Sequence, residues 1–370
     1  PTLYVNSKKE DSEWRTLDGA IVDEMKPGLI KDTREFVKRY EEVQGFDIYG
    51  NTNYVCQYIS DNYDYDVRFD MEQIKVCTID IETATEYGFP DIKAANEEVL
   101  LITVKDLASK QIVTFGSHAF VHNRDNVVYK HCNNEQHLLK EFMIWWQGNY
   151  PDIITGWNTE FFDLPYIWNR INSQLGEDAM KRLSPWGVVQ SRMVNSGFGK
   201  KTEMFEIMGV NNLDYLQLYK KFTYSNQESY RLDHIAFVEL GQHKDENPYD
   251  TFSDWYQKDY QSFIDYNIMD VELVDRLDSK MKLIDLILTM TYEAKVNMSD
   301  AFTSVKYWDV LIYNHLLKRK VVIPQKKSNE SKGEKYIGAY VKDPQVGMHN
   351  YVASFDLNSF YPHLMMQYNI

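Results

Sequence analysis

The sequence predicts an α/β (α+β) fold, a mixed sheet flanked by helices, with a smaller α+β region before it. Three observations predict it. From about residue 74, β-branched runs of strand length and amphipathic stretches of helical period follow one another in the order β-β-β-α-β-α. A long helical region, Asp254 to Leu286, comes after them. The 370 residues, 44% apolar and 26% charged, are ordinary for a soluble globular protein and long enough for two or three domains.

In chain order, Thr33 to Val43 has helical periodicity, with Phe36, Val37, Tyr40 and Val43 on one side. Asn53 to Ile59 and Tyr63 to Phe69 alternate and read as strands. Lys75 to Ile81 is a β-branched strand, and Val99 to Val104 with Gln111 to Phe115 reads as a hairpin beside it. Glu135 to Gln147 is an amphipathic helix, Asp152 to Gly156 a buried strand ending in a turn, and Phe162 to Leu175 a helix. Val188 to Val194 and Glu203 to Met208 are two strands around a Gly-rich tip, Asn195 to Lys201. Residues 283–327 are helical, then basic: Lys318 to Lys342 holds eight Lys/Arg against two Glu. That run fits either a solvated face or a contact with a nucleic-acid strand.

The net charge of −15 disfavours non-specific adhesion to a polyanion, yet leaves room for an enzyme that holds phosphates locally through metal ions. No apolar run reaches the ~18 residues of a membrane span, so no membrane partner is expected. No basic-then-apolar leader opens the chain, so no secretory signal is expected; it begins at Pro1, which points to a processed or cut start. Cys56, Cys77 and Cys132 are an odd, scattered set that suits a reducing compartment. His131, Cys132 and His137 lack the second ligand pair of a zinc site, and no Walker-type phosphate loop is present.

Three short motifs carry the chemistry. Asp80-Ile-Glu82 ends an apolar strand, where residues i and i+2 share a face, so the two carboxylates project together. Such a pair repels itself unless a cation sits between its members, and hard oxygen donors suit Mg²⁺ or Mn²⁺. Thr155-Gly-Trp-Asn-Thr-Glu-Phe-Phe-Asp163 follows a strand end; Asn158 falls in a turn and Asp163 near a helix start. Asp163 fits either a catalytic carboxylate or a helix-start residue without catalytic role. Tyr266-Asn-Ile-Met-Asp270 sets a phenol and a carboxylate one helical turn apart. Together, Asp80, Glu82, Asp163 and Asp270 form the set a two-metal nuclease needs. One ion takes Asp80, Glu82 and Asp270; the other shares Asp80 and is held through Asp163, while Tyr266 orients the attacking water.

These motifs resemble the 3′–5′ proofreading exonucleases of the DEDD superfamily in their tyrosine variant; Asp265, not His, stands five before Asp270. Asp356-Leu-Asn-Ser-Phe-Tyr-Pro362 is similar to the first polymerase motif of B-family DNA polymerases. Tyr336-Ile-Gly-Ala resembles their link between exonuclease and polymerase parts. With Phe161-Phe-Asp-Leu-Pro-Tyr166 and Leu213-Asp-Tyr-Leu-Gln-Leu-Tyr, the likeness narrows to the replicative polymerases of T-even-type bacteriophages. The resemblance implies an N-terminal domain over 1–74 plus 283–327, an RNase-H-like exonuclease domain over 75–282, and the start of a polymerase palm over 328–370. It implies DNA contacts at Phe89, Asn158, Lys244, Tyr336 and Gly338, and a hairpin over Val188 to Met208 that helps part primer from template. For the palm it implies that Asp356 is one carboxylate of an incomplete polymerase metal site, that Leu357 and Tyr361 bind nucleotide, and that Tyr361 matches the residue that excludes a ribose 2′-hydroxyl.

The activity implied is removal of the 3′-terminal nucleotide of single-stranded DNA with two Mg²⁺ or Mn²⁺ ions. The implied partners are single-stranded and primer–template DNA and a C-terminal polymerase portion, in the same or a separate chain, with a sliding clamp reached only through a distant C-terminus. The implied location is the cytoplasm of an infected bacterium. The other functional reading is a non-catalytic assembly subunit of a split polymerase. A free-standing trimming nuclease is disfavoured by residues 328–370.

Overall fold

The structure, a computed structural model, describes residues 1–369 apart from 42, 66, 87, 196–200, 245, 246 and 326–337. It divides into a large unit, Pro1–Gln325, and a small one, Lys326–Ile370. No helix among the described residues is long and apolar enough to cross a membrane.

The large unit opens with β1 (Leu3–Asn6), β2 (Trp14–Thr16), β3 (Ile21–Met25), α1 (Ile30–Tyr40), β4 (Ile48–Tyr49) and α2 (Tyr54–Asn62). The segment expected as a strand at Asn53 to Ile59 is therefore a helix. The Asn53 side chain caps it by accepting from the Cys56 amide, and the buried residues Cys56, Gln57 and Ser60 share one helical face. Val55, one residue before the buried Cys56, is exposed. Residues 63–65 and 67–69 form no strand.

Then follow β5 (Val76–Thr83), β6 (Val99–Asp106), β7 (Ile112–Gly116), β8 (Val127–His131), α3 (Glu135–Gly148), β9 (Ile153–Thr155), α4 (Asp163–Leu175), α5 (Glu177–Lys181), β10 (Val189–Asn195) and β11 (Lys201–Ile207). After these come β12 (Asn211–Asn212), α6 (Tyr215–Phe222), α7 (Leu232–Leu240), α8 (Phe252–Lys258), α9 (Tyr260–Met281), α10 (Leu283–Ala294), α11 (Met298–Ala301), α12 (Ser304–Lys318) and β13 (Val321–Val322). The single helical region expected from Asp254 breaks twice. Asp259 caps α9 through the Ser262 amide, and Lys282 turns left-handed with φ 56° between α9 and α10.

Two sheets and a separate hairpin result. The N-terminal sheet runs β13-β2-β3-β1-β4, so the late strand β13 returns to pair in parallel with β2. The larger sheet runs β12-β9-β5-β6-β7-β8 and is mixed: β5, β6 and β7 are antiparallel neighbours, while β9 pairs in parallel with β5 and β8 in parallel with β7. The strand β8 carries no alternation strong enough to show in the sequence. The hairpin is β10 with β11.

The alternation of β5 decides where the site lies. Ile79 and Ile81 point into a core shared with α3 and α4. The opposite face of the sheet is covered by α8 and α9, whose Trp255, Phe263, Ile264 and Ile268 pack on Leu101 and Ile112. Burying each such side chain is worth roughly 1.5–3 kcal/mol, so the register of β5 is strongly set: slipping by one residue would drive Asp80 and Glu82 into the α3/α4 core.

In the small unit, described from residue 338 to 369, α13 (Phe360–Tyr368) has no buried residue. Phe355, Leu357, Tyr361 and Met366 are all exposed.

Candidate active site

Asp80 and Glu82 lie in the C-terminal half of β5, a central strand, and α9 packs against that strand. Oxygen atoms of Asp80, Glu82 and Asp270 lie within 4.8 Å of one another. Among the described residues this is the one group of three or more acidic, His or Cys side chains placed to hold a metal ion.

Asp163 reaches the same strand by a different route. β9 pairs with β5 only as far as Thr155 opposite Thr78. At Gly156 a Cβ would come 2.4 Å from the Ile79 carbonyl oxygen, so only glycine lets the chain leave the sheet there. Asn158 then takes a left-handed φ of 71°, and the turn brings Asp163 to the start of α4. Its Oδ1 accepts from the Ile81 amide at 3.1 Å, beyond the last rung of the ladder to β9. Asp163 is buried and electrostatically close to Asp80, but stands outside the tight trio.

Lys244 sits over the centre. Its Nζ donates to Asp270 Oδ2 at 2.6 Å and to the Tyr266 hydroxyl at 2.7 Å, and lies 4.1 Å from the Tyr266 ring centroid. Asp233 fixes this segment by accepting from the Lys244 amide at 2.7 Å. Trp255 packs edge-on to Tyr266 at 4.8 Å and is itself tied to Ser262. A cavity of about 700 Å³ opens in front, walled by Asp80, Phe89, Asn158, Lys244, Tyr266 and Asp270 among others. Phe89 is 85% exposed, with Phe162 5.7 Å away.

Two residues passed over in the sequence are part of the frame. Asn267 donates to Asp80 Oδ2 at 2.6 Å. Asp214 caps α6 through the Leu216 and Gln217 amides and also accepts from the Asn158 and Glu160 amides, which pins the turn before Asp163. An Asp before the apolar-periodic Tyr215 to Phe222 is a readable cap signal; that it also holds a loop 54 to 56 residues away is not.

The small unit holds Asp356, Leu357, Tyr361 and Gly338, all exposed. No second acidic cluster forms around Asp356 among the described residues. Tyr336 lies outside the described residues.

Crowding shows in the protonation of the carboxyls. Burial, then Asp270, Asp163 and Glu82, pushes Asp80 well above the usual range. Burial and Asp270 push Glu82 up to about 8. Burial pushes Asp163 up to about 7 although the Ile81 amide pulls it down. Asp270 is also raised by burial, with Lys244 opposing. Its Oδ1 is buried without a hydrogen-bond partner. An oxygen-only donor set with an orphaned carboxylate oxygen and excess negative charge fits a hard divalent cation.

A pH prediction follows. In chelator, the folded protein holds protons on Glu82 and Asp163 that the unfolded chain loses near pH 4 to 4.5. The contribution of these groups is fully present below the unfolded values and is lost as pH rises through about 7 to 8. The melting temperature in EDTA should fall from pH 5 to pH 8, and Mn²⁺ should restore it at pH 8. A melting temperature at pH 8 that ignores Mn²⁺ would contradict this.

The sequence has counterparts among known proteins. Residues 46–235 match the exonuclease domain of DNA polymerase family B, and residues 303–370 match DNA polymerase family B. The chain belongs to DNA polymerase family B. It is 34% identical to a DNA-directed DNA polymerase of Escherichia phage RB69 over 92% of this chain and 40% of that one. It is 35% identical to that of Enterobacteria phage T4 over 100% of this chain and 43% of the relative. A DNA polymerase delta catalytic subunit of Caenorhabditis elegans is 28% identical over 65% of this chain and 23% of its own length. The chain thus spans about two fifths of the length of the phage relatives.

Proposed function

We propose that this chain is the exonuclease-bearing part of a phage replicative DNA polymerase, removing the 3′-terminal nucleotide from a single-stranded DNA end. The observation that carries the reading is the convergence of Asp80, Glu82 and Asp270 beside Tyr266 and Lys244. Asp80, Glu82 and Asp270 would hold one Mg²⁺ or Mn²⁺; Asp80 and Asp163 would hold a second. Bound there, the pair of ions supplies charge stabilisation for the phosphodiester and for the departing 3′ oxygen. Tyr266 keeps its proton at neutral pH, since burial and Asp270 raise it. It therefore serves to orient water rather than to abstract a proton. Lys244 holds the phenol and Asp270 in register. The water oxygen would bond to phosphorus as the bond to the 3′ oxygen breaks, a proton of the water would pass through solvent to that 3′ oxygen, and a nucleoside monophosphate and a strand shorter by one would remain.

Phe89 and Asn158 line the cavity wall, which supports their meeting the DNA end. The pairing of β13 with β2, and the Ser60–Asn314 hydrogen bond, support an N-terminal domain built from 1–74 with 283–327. Residues 75–282 would then be the exonuclease domain and 328–370 the start of the palm. There Asp356, Leu357 and Tyr361 would serve DNA synthesis with a C-terminal polymerase portion. Primer–template DNA is the substrate of that assembly, and the cytoplasm of the infected bacterium its location.

The test is a 5′-labelled single-stranded oligonucleotide with Mg²⁺. A ladder shortening from the 3′ end with mononucleotide release is expected, and an intact oligonucleotide in Mg²⁺ and in Mn²⁺ would reject catalysis by this chain. The exposed Phe355, Leu357, Tyr361 and Met366 favour a second reading, an assembly subunit that binds a polymerase portion and contributes no turnover. Primer extension only in a mixture with that portion, without degradation by this chain, would favour it.

A further inference from the structure

Each of the three acidic motifs receives a hydrogen-bond donor from outside it, and these donors differ in kind. Asp163 takes a backbone amide, from Ile81. Asp270 takes an ammonium, from Lys244. Asp80, which faces both proposed ions, takes a neutral carboxamide: Asn267 Nδ2 donates to its Oδ2 at 2.6 Å.

Asn267 is wholly buried on α9, flanked by the buried Phe263, Ile264, Ile268 and Val271. Its Oδ1 has no partner. A buried amide with an unsatisfied oxygen destabilises the fold, so packing alone does not account for it; an apolar side chain would serve that purpose better. Its one side-chain bond goes to a proposed metal ligand, three residues before another, Asp270, on the same helix. A neutral donor also suits the place. It fixes the carboxylate without adding positive charge that would oppose a dication, and it engages one oxygen of Asp80 while leaving Oδ1 for the ion.

We propose that Asn267 is a positioning residue of the metal centre, holding Asp80 with Oδ1 turned to the divalent cation. The inference rests on the exonuclease reading of the site. Partners of this kind commonly set metal affinity by 10–100-fold.

The test is direct Mn²⁺ binding, by electron paramagnetic resonance, to the intact chain without DNA. Asn267→Leu removes the donor and keeps the branched shape of the side chain. It should weaken Mn²⁺ binding by about 10–100-fold and shrink the rise in melting temperature that Mn²⁺ gives the parent. In EDTA it should melt no lower than the parent. Binding within twofold of the parent by a folded Asn267→Leu protein would overturn the proposal. If that variant does not fold, Asn267→Ser, too short to reach Asp80, takes its place with the same two outcomes. A parent that binds no Mn²⁺ overturns the metal-centre reading itself, and this inference with it.

Discussion

The Asp80→Ala/Glu82→Ala protein is expected to lose Mg²⁺-dependent release of the 3′-terminal nucleotide by at least about 10³-fold and to remain folded. The loss follows from the donor set. Of the three carboxylates within 4.8 Å, only Asp270 would remain, and Lys244 already engages its Oδ2. One free oxygen cannot retain a dication against water. Folding should survive because neither side chain holds the sheet together. The register of β5 is set by Ile79 and Ile81 on the far face and by its ladder to β6. In chelator at pH 8 the double variant should melt at or above the parent, since two crowded carboxyls with raised protonation have gone. Digestion of a labelled oligonucleotide at the parental rate by the folded variant would show that the chemistry lies elsewhere. The experiment needs no polymerase portion, so it isolates the nuclease reading from the assembly reading.

What the sequence could show of this site follows from how far each physical rule reaches along the chain. Strand alternation placed Asp80 and Glu82 on one face, and helical spacing placed Tyr266 beside Asp270, because both are rules about neighbours. The donors come from farther away: Asn267 reaches across 187 residues to Asp80, and Lys244 is anchored by Asp233 only through a turn. No local period encodes such contacts. Resemblance to a family supplied Lys244 where periodicity was silent, and the structure sets it on Asp270 and Tyr266. The same limit explains the fold. Long apolar runs such as β6, buried from Val99 to Lys105, were legible. The half-exposed β8 and the capped helix α2 were not, since β8 shows no clean alternation and α2 mimicked one.

Arg170→Ala should be strongly destabilising although it lies outside the acidic centre, lowering unfolding free energy by about 3–5 kcal/mol. Arg170 and Glu135 are both buried and paired two-pronged, Nε and Nη2 each 2.6 Å from a carboxylate oxygen. Removing the guanidinium strands Glu135 as a buried charge. It also frees the connection from β5 to β6, because Arg170 Nη1 donates to the Ala95 and Asn96 carbonyls at 2.8 and 3.0 Å. Two neighbours on α4 clamp the same connection: Tyr166 donates to the Glu97 carbonyl at 2.7 Å and Asn169 to the Ile92 carbonyl at 2.9 Å. That connection carries Phe89 to the cavity wall. The variant should therefore bind single-stranded DNA more weakly, in addition to unfolding at lower denaturant. Arg170→Met with Glu135→Leu removes both charges and should recover much of the stability, because the penalty lies in the stranded carboxylate more than in the lost pair. It should not recover DNA affinity, since neither new side chain can donate to the Ala95 and Asn96 carbonyls. Urea unfolding and DNA-binding titrations on the two proteins separate these effects. A loss below about 1 kcal/mol for Arg170→Ala, the usual scale of an exposed pair, would mean that water reaches Glu135 and the clamp is not sealed.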